Sequence, residues 1–119
     1  MDIVIYEEDY LTLALLQQWL GEAGYRAHVG MPCVTDPHRP ADLVIADVYM
    51  PKQGGARSIR NIREAYPNTP VIAISGQFRS GLSAAGATAR TLGVEKVIAK
   101  PLLRSELVNA VRYILSRSD

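Results

Sequence analysis

Five short apolar runs, set apart by polar or helix-like stretches, restrict this chain more than anything else in it. They are Ile3–Tyr6, Tyr25–Val29, Leu43–Ala46, Val71–Ile74 and Val97–Ala99. Each is too short for an ordinary helix and carries β-branched residues, so each reads as a strand. Their composition is nearly all apolar instead of alternating, which calls for a parallel sheet covered on both faces.

The intervening stretches fit that demand unevenly. Leu11, Leu15, Leu16, Trp19, Leu20 and Ala23 recur at helical spacing before Gly24,. Ala56, Ile59, Ile62 and Tyr66 mark a second helix, ending before Pro67, and Leu107, Val108, Val111, Ile114 and Leu115 mark the closing one,. A weaker pattern (Leu82, Ala85, Ala89, Leu92) lies between the last two strands. The connection Gly30–Ala41 has prolines at 32, 37 and 40, which leave room for one turn at most, so the helix after the second strand is expected to be shortened or absent,. Right-handed crossovers then make the sheet doubly wound, with functional groups collecting at its carboxyl edge.

A length of 119 residues gives one domain, 1–119, with a single core,. A net charge of +1 supplies no field that favours nucleic acid or an acidic membrane surface,. The single cysteine, Cys33, excludes an internal disulfide and a cysteine-based zinc site, and fits a cytoplasmic setting,. The amino terminus, MDIVIYEED, reaches acid too soon for a signal peptide or a membrane span,. His28 and His38 have no acidic or thiol partner at ligand spacing and read as ordinary. Arg57, Arg60 and Arg63 form a row that reads as a solvated helix face,.

The chemistry gathers at the strand tips. The first strand runs into Glu7-Glu8, the third into Asp47, the fourth into Ser75 and the fifth into Lys100-Pro101. Taken alone, Asp47 could as well cap a turn before Pro51. Three carboxylates brought together repel, and a hard divalent cation relieves them; Mg²⁺ suits a site with few carboxylates because it keeps waters. A lysine and a hydroxyl beside such a cluster suit a tetrahedral oxyanion, and Asp47 is then placed as a nucleophile that forms an acyl phosphate.

With Glu7-Glu8, the D-x-x-M-P run Asp47–Pro51, Ser75 and Lys100-Pro101 in this order, the whole chain resembles the receiver domain of two-component response regulators. The resemblance implies a flavodoxin-like (βα)5 fold with strand order 2-1-3-4-5. It implies that Asp47 is the phosphoacceptor, served by a histidine kinase or a histidine phosphotransfer protein. Mg²⁺ would be held by Glu8 directly, by Glu7 largely through water, by Asp47 and by the backbone carbonyl of Tyr49. Ser75 would be the switch hydroxyl and Lys100 the phosphate-pairing lysine, with a cis Lys100–Pro101 bond, and the modified form would change affinity for a downstream protein.

The chain departs from that pattern in places. Both members of the acidic pair are glutamates, each reaching about 1.5 Å further than an aspartate. Val97 stands where the family usually has its switch aromatic, and the loop after Ser75 is lengthened. The paired glutamates and Val97 support an alternative, a receiver-like interaction module that works without phosphorylation. An aspartyl phosphatase of the haloacid-dehalogenase type, a further enzymatic reading, lacks its general acid, because that position is Tyr49. No helix-turn-helix segment remains for DNA, and a chain ending at Asp119 is expected to act as a stand-alone, non-enzymatic shuttle or adaptor,.

Overall fold

The computed structural model describes residues 1–30, 41–47, 62–75 and 94–116. The strands are β1 (Asp2–Tyr6), β2 (Arg26–Val29), β3 (Leu43–Asp47), β4 (Val71–Ser75) and β5 (Lys96–Ala99). All neighbours pair in parallel, in the order β2-β1-β3-β4-β5. The order reverses between β1 and β3, whose registers set Tyr6 beside Ala46. Asp47 and Glu7, the next residue of each chain segment, therefore emerge side by side at the carboxyl edge, where ligands of open α/β sheets bind.

The apolar runs are continuous because both faces of the sheet are covered. Ile3, Ile5, Leu43, Ile45, Ile72, Ile74 and Ile98 pack on one face with residues of the two described helices, α1 (Tyr10–Glu22) and α2 (Arg104–Ser116). Val4, Tyr6, Val44, Ala46 and Val71 pack on the other with Ile62, in the helical turn at 62–65, and Tyr66, just after it. Full burial of each valine, leucine or isoleucine side chain among them contributes about 1.5–3 kcal/mol of transfer free energy. Helix α2 follows the expected stripe: Leu107, Val108, Ala110, Val111, Ile114 and Leu115 are buried.

Helix α1 corrects the expected phase. Leu16 and Leu20 are buried and Leu13 and Trp19 partly so, whereas Leu11 is 78% exposed and Leu15 43%. Apolar side chains lie almost all round this helix, so spacing alone does not pick the inner face; the cover that β1 and β2 require does. Its ends are sharply defined. Asp9 accepts from the Thr12 backbone N–H at 2.9 Å and from its hydroxyl at 2.7 Å,. At the other end Gly24 takes φ +95°, and the N–H groups of Tyr25 and Gly24 donate to the carbonyls of Leu20 and Gly21. This is the paired closure that a left-handed glycine permits.

The expected short connection at 31–40, the helix from Ala56 up to residue 61, the weak helix at 82–92, and His38, Arg57 and Arg60 lie outside the described residues. Among those described, no helix is long and apolar enough to cross a membrane.

Candidate functional site

Four of the sequence-selected residues reach the carboxyl edge from β1, β3 and β5. Glu7 and Glu8 follow β1 directly, Asp47 is the last residue of β3, and Lys100 is the first residue after β5. Ser75 ends β4, in register with Ala99. The Lys100–Pro101 peptide is cis, as expected. Tyr49 lies outside the described residues. Val97 is buried in β5 opposite Ala73, so no ring occupies that position.

Lys100 ties the site together. Its Nζ donates to Asp47 Oδ2 at 2.9 Å and lies 3.1 Å from Glu7 Oε2, as an ion pair without the angle of a hydrogen bond. The two carboxylates are almost wholly buried, at 2% exposure for the Glu7 side chain and 8% for Asp47, while the lysine keeps 24%. The other Glu7 oxygen, Oε1, accepts from the Asp9 backbone N–H at 3.0 Å. The chain leaving β1 is thereby folded back toward the cap of α1. Glu7 Oε2 and Glu8 Oε2 are both buried without a hydrogen bond, but Glu7 Oε2 has the Lys100 ammonium beside it, whereas Glu8 Oε2 has no ion-pair partner among the described residues.

Burial pushes the Glu7 carboxyl above its usual range, and the nearby Asp47 charge adds to that; the Asp9 N–H and Lys100 oppose it without reversing it,. For Lys100, burial works downward, but the close contacts and charges of Asp47 and Glu7 outweigh it and hold the ammonium above the ordinary lysine value. The site can therefore keep a cation between two acids in a dry place, a suitable arrangement for receiving an anionic group.

Among the described residues, no three His, Cys, Asp or Glu side chains converge into a metal-holding group. The observation that fits a cation is Glu8 Oε2, since a buried carboxylate oxygen that has neither donor nor ion-pair partner among the described residues is costly until something positive meets it,. The few-carboxylate habit of Mg²⁺ matches this donor set.

Sequence spacing missed one cluster. His28 Nε2 lies 2.9 Å from Asp2 Oδ1, and Arg26 Nε lies 3.1 Å from the same oxygen. The Asp2 N–H also donates to Asp42 Oδ2 at 2.7 Å. His28 thus has an acidic partner on the neighbouring strand, which only the β1–β2 register reveals. The cluster lies at the amino end of β1, away from Asp47.

The model of one protein family, the response regulator receiver domain, matches residues 3–112. The chain is 33% identical over 123 residues to the transcriptional activator protein IrlR of Burkholderia pseudomallei, covering 100% of this chain and 52% of the relative. It is 29% identical over 119 residues to the transcriptional regulatory protein CpxR of Klebsiella pneumoniae, covering 98% and 50%. The chain thus spans about half the length of these relatives. Among solved structures, a CheY-like response regulator receiver domain from Methanospirillum hungatei superposes with a TM-score of 0.80 at 18% identity, over 98% of this chain and 94% of that one. The receiver domain of the TMAO respiratory system response regulator TorR does so with 0.75 at 27% identity, over 99% and 98%.

Proposed function

This chain belongs to the family of response regulator receiver domains, and from that premise we propose that it is a phosphoacceptor of a two-component phosphorelay, modified on Asp47. The observation that carries this reading is the Lys100 ammonium held 2.9 Å from Asp47 Oδ2 at the carboxyl edge of the sheet.

The donor is a phosphohistidine on a histidine kinase or a histidine phosphotransfer protein. A lone pair of an Asp47 carboxylate oxygen forms the new O–P bond. The N–P bond breaks as this forms, and its electron pair returns to the imidazole nitrogen, leaving an aspartyl phosphate. Lys100 exchanges part of its contact with Asp47 for a phosphoryl oxygen, and the charge that develops there meets a cation already in place. Ser75, at the tip of β4, is assigned the hydroxyl that donates to another phosphoryl oxygen.

Glu8 and Asp47, with the main-chain carbonyl of Tyr49, are the groups that would hold Mg²⁺, with water completing its shell. When bound, the ion supplies positive charge against the phosphoryl oxygens. Modification then shifts a two-state equilibrium and with it the affinity for a downstream protein.

The buried Val97 favours a second reading, an interaction module that works without phosphorylation, since the usual hydroxyl–aromatic coupling has no ring to move. Incubation with a small acyl-phosphate donor and Mg²⁺ decides between them. The intact mass should rise by one phosphoryl group, and Asp47→Asn should abolish the gain. An unmodified wild-type chain at high donor and Mg²⁺ would sink the first reading.

A further inference from the structure

We infer that Glu7 is a positioning residue for Lys100 and not a partner of the metal ion, so the two glutamates of the acidic pair divide the work. The inference rests on the phosphoacceptor reading for what Lys100 does, and on the site geometry for how Glu7 serves it.

Both Glu7 oxygens are directed at groups of the protein itself. Oε1 accepts the Asp9 N–H at 3.0 Å, which pins the carboxylate to the loop that starts α1. Oε2 faces Lys100 Nζ at 3.1 Å. The ammonium therefore sits between an acid fixed from β1 and the acceptor Asp47 Oδ2 at 2.9 Å. A lysine side chain has several rotatable bonds and loses much freedom when held. Glu7 supplies a second electrostatic anchor beside Asp47, so Lys100 stays held at the place where phosphoryl charge arrives.

The extra methylene of Glu7 then has a use: it extends the carboxylate toward the Lys100 ammonium, which reaches over from the end of β5. A divalent ion brought to Oε2 would share that oxygen with an ammonium already beside it, and like charges at such range repel. Glu8 carries no such burden: its Oε2 is buried like that of Glu7, but among the described residues no ammonium lies beside it, so it is the oxygen a cation would relieve.

Two readouts on the intact chain test the division: the ¹⁵N–¹H signal of the Lys100 ammonium in metal-free protein, and the dissociation constant for Mg²⁺ added as its chloride. In Glu7→Gln the ammonium protons should exchange with water at least about threefold faster than in wild type, while Mg²⁺ affinity changes by less than about threefold. Glu8→Gln should do the reverse, weakening Mg²⁺ about tenfold or more with the ammonium signal retained. Glu7→Asp keeps the charge and withdraws the reach, so it should loosen Lys100 as Glu7→Gln does; it also serves if the glutamine variant folds poorly. An unchanged ammonium signal in the Glu7 variants, or an Mg²⁺ loss in Glu7→Gln of about threefold or more, overturns the inference. Should the wild-type chain bind no Mg²⁺, the ammonium signal alone decides. Failure of phosphorylation in the wild-type chain speaks against the phosphoacceptor reading and leaves the metal-free ammonium result to stand or fall by itself.

Discussion

Lys100→Met is the most informative single change, because it removes the charge between two nearly buried carboxylates. Each contact, at 2.9 and 3.1 Å, corresponds to about 5–6 kcal/mol of gross attraction at an effective dielectric constant near 20,. Most of that is offset by the desolvation of all three groups. The more useful quantity is what remains after the lysine is gone. Glu7 Oε2 and Asp47 Oδ2 contact the same nitrogen, so they are at most about 6 Å apart, and two charges at that distance repel by about 3 kcal/mol or more,. With a lysine side chain that is 24% exposed, solvent screens part of this, and the expected destabilisation of metal-free protein near neutral pH is about 2–4 kcal/mol,. The pH dependence carries a definite sign. The folded value of Lys100 is raised, so its contribution is complete below 10.5 and is lost only as pH climbs through that raised value; a neutral assay sees all of it,. As pH falls through the raised folded value of Glu7, above its ordinary 4.5, the repelling pair takes up a proton and the deficit of the variant shrinks,. Urea unfolding of both proteins in chelator-treated buffer, near pH 7 and again near pH 4, measures this directly. Equal stability at neutral pH, or a deficit that persists undiminished in acid, would refute the assignment of Lys100 as the shared counter-charge.

Glu7→Gln should become more stable relative to wild type as pH rises from acid toward neutral. A carboxyl whose folded value is raised contributes its stability below 4.5 and loses it as pH passes through the folded value, and the amide has nothing to ionise,. Urea midpoints across that range, without divalent ions, check the direction. Gly30→Ala should cost about 1–3 kcal/mol, since the new Cβ would lie 2.6 Å from Tyr6 Cε1 and 2.8 Å from Val4 Cγ1, both on buried side chains,. Thermal or urea unfolding reads that cost. Leu20→Ala should destabilise by about 2–5 kcal/mol and Leu11→Ala by no more than about 0.5 kcal/mol; a reversed ranking in the same assay would contradict the observed phase of α1,.

Much of the sheet was legible because burial on both faces leaves a plain mark. The runs around Val4, Val44, Ile72 and Ile98 have no polar side to hide, and the turn residues that bound them fix their ends within a residue or so,. Asp47 and Lys100 were legible for a related reason: a polar residue placed where a buried strand stops is not needed for the core. Helix α1 was harder to phase, since Leu11 and Leu15 are as apolar as Leu16 and Leu20 and only the packed sheet distinguishes them. The Asp2–His28 pair was invisible for another reason. It depends on the register of two parallel strands, and sequence separation carries no trace of that register,.

The Glu7 carboxylate shows where the demands of folding and of chemistry separate. A buried acid with a raised proton affinity is held against its own preference for water, and an apolar or amide side chain would spare the fold that cost,. Asp9 is the opposite case at the same loop: its carboxyl is held below the usual range, first by its hydrogen bonds with Thr12, and its charge serves the helix it caps. Two acids two residues apart thus have opposite relations to stability. The one that helps the fold is exposed and satisfied locally, and the one that burdens it lies 3.1 Å from the only lysine contacting Asp47 among the described residues. On the proposed reading, a destabilising group at that point is explained by what it does for Lys100, and Lys100 by what it would offer an anion arriving at Asp47.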